Sequence, residues 1–238
     1  MTKRRCIIIA VSALISLIAV AFSVYFFAFR LPEIKEKREL ERLIQEYYDA
    51  KLAQYAEENE RYADYEVDVA FLGDSLTDGY DLEKYYPQYL VANRGIGGER
   101  THGLEERLAV SVYDLKPKVA VMLIGGNNLD TMLENYESIL RGLKENLPGT
   151  KVILVSLTAR GGDFADKNKT VAYNNVVIKK LAAEYGYRFV DLYAPLFDID
   201  SGEIYSKYTS DGAHLTPLGY EVFTEALTPA IDAALRER

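Results

Sequence analysis

The sequence predicts an α/β protein, a three-layer α/β/α sandwich built on a five-stranded parallel sheet. Short apolar and β-branched runs alternate along the chain with longer stretches of helical periodicity. Two of these runs, residues 119–124 and 152–155, are continuously apolar, as expected of strands that helices cover on both faces. Strands that alternate with helices form parallel sheets, because each helical crossover returns the chain to the same edge.

The predicted strands cover residues 67–72, 90–93, 119–124, 152–156 and 188–190. Helices are predicted between them at residues 101–113, 130–146 and 166–185, and a last helix follows Pro217. In such sheets the ligand site lies beyond the carboxyl ends of the strands. We therefore expect the functional residues directly after the strands.

The N-terminal segment has the composition of a membrane span. Basic residues at positions 3–5 precede an uncharged, mostly apolar run at positions 6–29. As a helix this run extends about 36 Å, enough to cross a hydrocarbon core of about 30 Å. We interpret residues 1–30 as a basic head and a transmembrane signal anchor. The alternative is a signal peptide cleaved near Ala19-Val20-Ala21, but the apolar run continues well past that point.

Residues 31–65 carry apolar side chains at helical spacing among charged ones. This pattern predicts an amphipathic helical linker that packs on the domain or on a partner helix, or serves as a solvated spacer. Residues 66–238 then form the catalytic domain. Basic residues such as Lys35 and Lys37 follow the span, against the positive-inside rule for an exported domain. A short basic head is nevertheless typical of export signals, so we expect a single-pass cell-membrane protein with an extracytoplasmic domain.

Composition argues against several functional classes. The formal net charge of -8 argues against a nucleic-acid partner, which requires clustered cations. The single cysteine, Cys6, allows no intrachain disulfide. With two histidines, His102 and His214, and no CxxC spacing, we expect no metal and no cofactor. The oligomeric state cannot be predicted from the sequence.

Four predicted strand exits carry polar residues flanked by glycine. These exits are Gly73-Asp74-Ser75-Leu76, Asn93-Arg94-Gly95-Ile96-Gly97-Gly98, Gly125-Gly126-Asn127-Asn128 and Asp211-Gly212-Ala213-His214. Each motif alone has a structural explanation. Their common placement at one rim of the sheet indicates a single site.

The residue types at these exits suit acyl transfer. A serine directly after a strand exposes its hydroxyl, although Ser75 can also be read as a helix N-cap. Asp211 and His214 are three residues apart, so the carboxylate can orient the imidazole as a base; a helix cap and a surface histidine are the alternative. His102 is a competing base, but it lacks an aspartate at that spacing and is predicted to lie on the surface.

Gly98 can supply an uncrowded backbone N–H, and Asn127 a side-chain amide, as hydrogen-bond donors to an oxyanion. The alternative explanation for both residues is that they serve the geometry of tight turns. Two better-known motifs do not fit. Thr77 stands where the nucleophile elbow of α/β-hydrolases requires its second glycine. The glycine run that ends at Gly98 is followed by Glu99 and is not a dinucleotide fingerprint.

With all four motifs intact, the sequence from residue 67 onward resembles the SGNH (GDSL) hydrolase family. The resemblance implies a flavodoxin-like fold and metal-free ester hydrolysis. It also implies Ser75, Asp211 and His214 as catalytic residues, and Ser75, Gly98 and Asn127 as the oxyanion hole. Asn128 stands where many members of the family have Asp.

Substrate-binding residues are predicted beside the triad: Asn128, Arg160, Phe164 and Tyr208, with Tyr80 as a further wall residue. Arg160 could bind an anionic group of the substrate; the alternative interpretation is a solvated arginine in a loop. The preferred function is hydrolysis of short acyl esters, O-acetyl above all, of surface carbohydrate or lipid. The alternatives are O-acyl transfer by the same triad, a lysophospholipase or lipase-like activity, and a non-catalytic glycan-binding domain.

Overall fold

The computed structural model of the chain describes residues 3–237. Two residues of the predicted basic head, Met1 and Thr2, lie outside the described residues, as do Arg238 and the side chains of Arg5, Cys6 and Ala10. The chain divides after Ala50 into two compact units, of which the second is Lys51–Arg238.

The first unit is helical throughout its described length. Helix α1 (Lys3–Tyr25) passes through a π-helical turn (Phe26–Arg30) into α2 (Leu31–Asn59). The described residues contain one helix long and apolar enough to cross a membrane by length and composition, beginning at Ile7, and its most apolar stretch is not buried. The charged part of α2 is stabilised by ion pairs one turn apart, such as those of Arg42 with Glu39 and Glu46.

The second unit is built on a five-stranded sheet of β1 (Val69–Gly73), β2 (Val91–Gly95), β3 (Val119–Leu123), β4 (Lys151–Val155) and β5 (Arg188–Val190). All pairings are parallel, and the strand order is β2-β1-β3-β4-β5. This is the flavodoxin-like order, in which the chain reverses direction across the sheet at β1 and β3. The predicted parallel sheet is confirmed, and every predicted strand bound lies within two residues of the observed one.

Seven helices accompany the sheet in the described part of this unit: α3 (Ser75–Asp78), α4 (Leu82–Tyr85), α5 (Thr101–Glu106), α6 (Leu133–Asn146), α7 (Asn168–Tyr185), α8 (Tyr193–Leu196) and α9 (Pro217–Arg236). Alternate strand residues point to opposite faces. Leu72, Met122 and Leu154 pack with α5, α6 and α7. Phe71 and Val121 face the other way and pack with α4, α8 and α9. The predicted three-layer sandwich is thereby confirmed.

Three features differ from the sequence prediction. The helix predicted over residues 101–113 is interrupted: α5 ends at Glu106, and a π-helical turn covers Ala109–Tyr113. The backbone leaves helical geometry at Arg107, whose side chain is drawn into the interior. A small antiparallel hairpin, β6 (Phe197–Asp198) and β7 (Glu203–Ile204), was not predicted, because its two-residue strands carry no detectable period.

Candidate active site

Ser75 lies at the carboxyl edge of the central strand β1, as the first residue of α3. Asp74 caps this short helix, because its Oδ1 accepts a hydrogen bond from the Leu76 N–H at 3.1 Å. The N-cap expected as an alternative role for Ser75 therefore belongs to its neighbour. The Ser75 hydroxyl is left free of the cap and lies 3.0 Å from Nε2 of His214.

His214 is held by Asp211 in the loop before α9. Nδ1 of His214 lies 2.7 Å from Oδ2 of Asp211. The other carboxylate oxygen accepts from the backbone N–H groups of Ala213 (2.9 Å) and His214 (2.8 Å). These hydrogen bonds hold the pKa of Asp211 well below its ordinary value, and the bond from the His214 backbone N–H has the largest effect. The carboxylate therefore stays ionised at neutral pH. The three side chains form a relay that can pass a proton from Ser75 to His214.

Gly98 and Asn127 lie at the neighbouring strand exits, and both are exposed. Gly98 has φ of 76°, in the left-handed region that favours glycine. Among residues 3–237 no group accepts a hydrogen bond from the backbone N–H of Ser75 or Gly98. The Asn127 amide donates one hydrogen to the Glu99 carbonyl at 2.9 Å and keeps a second. The site thus holds three donors, as an oxyanion requires.

A cavity of about 460 Å³ opens beside Ser75 and His214. Of the predicted substrate-binding residues, Asn128, Arg160 and Phe164 line it. Tyr208 does not; it packs edge-on against Tyr205, with Lys207 over its ring. Within the described residues, no three His, Cys, Asp or Glu side chains are grouped so as to hold a metal ion.

Two polar residues have other contacts than the sequence suggested. The Asn128 amide donates to Thr101 Oγ1 at 2.9 Å, and its oxygen accepts from the Thr101 N–H at 3.3 Å, so it fastens the start of α5 while lining the cavity. Tyr80 was predicted as a wall residue, and this is wrong: it is buried, stacks on Tyr220 and Phe223, and hydrogen-bonds Thr224. His102 is exposed, as predicted.

Sequence reasoning missed the buried arginine that joins the strand exits. Arg107 pairs with buried Glu99 at 2.9 Å. Its guanidinium also donates to the carbonyls of Gly73 (3.1 Å) and Arg94 (3.0 Å) and to Ser111 Oγ (2.8 Å). The sequence does contain one signal for its burial: Arg107 lies between Leu104 and Leu108, on the apolar face of a predicted helix. A cation on such a face is buried only when its charge is paired.

The end of α2 packs on the same region of the second unit. Tyr55 is buried and donates its hydroxyl to the Gly95 carbonyl at 2.6 Å. Arg94 is fully buried; its guanidinium lies over the Tyr55 ring, pairs with Glu58 and donates to Asn59 Oδ1 at 3.1 Å. The last turns of α2 therefore cover the edge strand β2, next to the exit that carries Gly98.

Replacing Arg107 by Ala is expected to lower the free energy of unfolding by about 3–5 kcal/mol, because Glu99 is left buried without its partner. The measurement is urea denaturation of the detergent-solubilised chain. Arg141→Ala removes an exposed arginine that bonds only Ser138 among its described neighbours, and should change stability by less than about 0.5 kcal/mol. Equal losses in the two variants would contradict the bracing role of Arg107.

Asp74 is expected to make stability depend on pH. Burial raises its pKa from 3.8 to about 6, against the opposing effects of the Leu76 N–H and Arg160. Between pH 4 and 6 the unfolded chain therefore binds fewer protons than the folded one, and this carboxyl lowers stability as pH rises. Relative to wild type, Asp74→Asn should gain up to about 3 kcal/mol across that window and no more above it. A stability difference that is constant with pH would contradict this.

Comparison with known proteins agrees with the geometry. The profile of the GDSL-like Lipase/Acylhydrolase family matches residues 71–222. Platelet-activating factor acetylhydrolase IB subunit alpha2 of Gallus gallus is 30% identical over 190 residues, 73% of this chain and 80% of the relative. A GDSL-like lipase from Bacteroides thetaiotaomicron is 26% identical with a TM-score of 0.68, over 77% of this chain and 98% of that one.

A candidate acylhydrolase from Bacteroides fragilis superposes similarly. It is 25% identical with a TM-score of 0.69, and the match covers 77% of this chain and 97% of that one. The family match runs from within β1 into α9, and it includes Ser75, Asp211 and His214. The chain belongs to the GDSL-like lipase/acylhydrolase family and is an ester hydrolase.

Proposed function

We propose that the chain is a membrane-tethered serine esterase that removes short acyl groups, acetyl above all, from esters of surface carbohydrate or lipid. The observation that carries the proposal is the relay from Ser75 through His214 to Asp211, with separations of 3.0 and 2.7 Å. A hydroxyl, an imidazole and an ionised carboxylate in this order form the arrangement by which serine hydrolases activate their nucleophile.

In the proposed reaction, Ser75 Oγ attacks the ester carbonyl while His214 Nε2 takes its proton. The backbone N–H groups of Ser75 and Gly98 and the Asn127 amide stabilise the oxyanion of the tetrahedral intermediate. His214 then returns the proton to the departing alcohol, which leaves the acyl group on Ser75. Water, deprotonated by His214, attacks this acyl-enzyme and releases the carboxylic acid and free Ser75.

Two further parts of the proposal rest on different observations. A short acyl group is supported by the relative from Gallus gallus, which is named as an acetylhydrolase. The membrane tether is supported by the apolar helix α1 and by the basic residues 3–5 at its start. We place the domain, from residue 66 onward, on the extracytoplasmic side, since a short basic head before an apolar helix is typical of export signals.

The test is hydrolysis of p-nitrophenyl acetate, butyrate and octanoate by the detergent-solubilised full chain. We expect acetate to be preferred and Ser75→Ala to abolish turnover. Asn127→Ala should lower kcat by about two to three orders of magnitude, because one oxyanion donor is lost. Intact cells should hydrolyse a membrane-impermeant acetate ester if the domain is extracytoplasmic.

Ser210→Ala is a suitable control, since Ser210 directly precedes Asp211 and its hydroxyl forms no hydrogen bond among the described residues. The variant keeps the backbone N–H of this residue, which donates to the His214 carbonyl at 3.0 Å. It should retain activity. A folded wild type with no turnover above Ser75→Ala would contradict ester hydrolysis. Turnover that requires a sugar or alcohol acceptor would instead indicate acyl transfer through the same acyl-enzyme.

A further inference from the structure

Arg160 is the one cation lining the active-site cavity whose side chain is buried, within the part of the chain that the structure describes. It is 9% exposed, whereas the other two cations of the lining, Arg100 and Lys167, are exposed. The sequence left open whether Arg160 is a solvated loop residue, and its burial excludes that interpretation. Burial lowers the pKa of its guanidinium, opposed by the charges of Asp74 and Asp211.

The backbone of Arg160 is fixed on both sides. Its N–H donates to Asn168 Oδ1 at 2.8 Å, and its carbonyl accepts from Asn168 Nδ2 at 2.9 Å and from the Ile204 N–H at 3.0 Å. Asn168 is itself buried, and Ile204 belongs to the small hairpin. The side chain therefore leaves a rigid point of the loop after β4 and has little freedom to move out to solvent.

The guanidinium is held against a glycine in the cavity wall. A methyl group on Gly126 would collide with Nη2 of Arg160, so the residue before Asn127 must be glycine for this side chain to lie here. Both Gly126 and Arg160 line the cavity beside Ser75 and His214. The guanidinium is thus placed close to the donors that surround the scissile carbonyl.

No acceptor satisfies this guanidinium among residues 3–237. No hydrogen bond from it and no ion pair to a carboxylate are formed there, although Arg94 and Arg107, the two other buried arginines, each have both. Unlike Nε of Arg94, the unpaired nitrogens of Arg160 are not enclosed by protein and open onto the cavity. The natural partners of a guanidinium are carboxylates and phosphates, which match its planar fork of N–H groups.

We propose that Arg160 binds an oxyanion, a carboxylate or a phosphate, that the substrate carries next to its scissile ester. This rests on the ester hydrolysis proposed above and narrows its substrate class to anionic esters. The acyl group lies at Ser75, and the anionic group occupies the cavity toward Gly126. Arg160 accordingly determines specificity and takes no part in proton transfer.

The test compares pairs of acetate esters of which one member carries an anionic group and the other does not. Acetylglycerol phosphate is paired with monoacetylglycerol, and O-acetyl-lactate with O-acetyl-lactamide, with acetate release measured for the detergent-solubilised full chain. We expect kcat/KM to be higher for the anionic member of at least one pair by about tenfold to a hundredfold. The pair that shows the preference identifies the anion as phosphate or carboxylate.

Arg160→Gln should reduce this anionic-to-neutral ratio at least about tenfold, and Arg141→Gln, an exposed arginine remote from the cavity lining, should leave the ratio unchanged. Gly126→Ala, which keeps the arginine but displaces it, should also lower the ratio. If neither variant folds, inhibition of wild-type turnover on the neutral esters decides. Competitive inhibition by inorganic phosphate or by lactate, with lactamide as the neutral control, supports the site, and its absence for both anions overturns it.

Equal ratios for wild type and Arg160→Gln, or no preference for either anionic ester, would overturn the proposal. Those outcomes can be distinguished from a failure of the proposed ester hydrolysis. The neutral esters alone, compared between wild type and Ser75→Ala, report ester hydrolysis whether or not an anion is recognised.

Discussion

The buried ion pair of Arg107 with Glu99 is the interaction on which the geometry of the site depends. A guanidinium in the interior requires acceptors for its donors, and here they come from the exits of two adjacent strands. Gly73 is two residues from Ser75, and Glu99 follows Gly98 directly. A single side chain therefore connects the segments that carry Ser75 and Gly98, the residue proposed as the second oxyanion donor.

The third strand exit joins the same arrangement through the backbone of Glu99. Its carbonyl accepts from Asn127, and Asn128 fastens the start of α5 by its contacts with Thr101. The loop that carries Asp211 is fixed separately, by the hydrogen bond from the Gly161 N–H to the Gly212 carbonyl at 2.9 Å. The residues of the site are thus held in position by hydrogen bonds to backbone carbonyls and by buried charges. Such contacts are more rigid than those of exposed side chains.

The end of α2 adds to this bracing within the second compact unit. Tyr55 and Glu58 reach the carbonyl of Gly95 and the side chain of Arg94, within the second compact unit. They cover β2, which is an edge strand and would otherwise expose one side. The last turns of α2 consequently belong to the same compact unit as the sheet and contact the end of β2.

The sheet and the motifs at the exits of β1, β2 and β3 could be predicted from the sequence because their signals are local. The fourth motif, predicted at a strand exit, lies instead in the loop before α9. Continuous apolar runs such as that of β3 identify strands buried on both faces, and the parallel rule then places Ser75 and Asn127 at one rim. Contacts made across long sequence distances could not be predicted. The partners of Arg107 span up to 34 positions, and the burial of Tyr80 depends on α9, 144 positions away.

The proposed reaction requires that Ser75, activated by His214, forms a covalent acyl-enzyme. This is tested by intact-mass and peptide analysis of the full chain after treatment with a fluorophosphonate, which reacts with activated serines. We expect one adduct per chain, on the peptide that contains Ser75, and no adduct in His214→Ala. A folded wild type that remains unlabelled, or an adduct on another residue with Ser75 untouched, would contradict it.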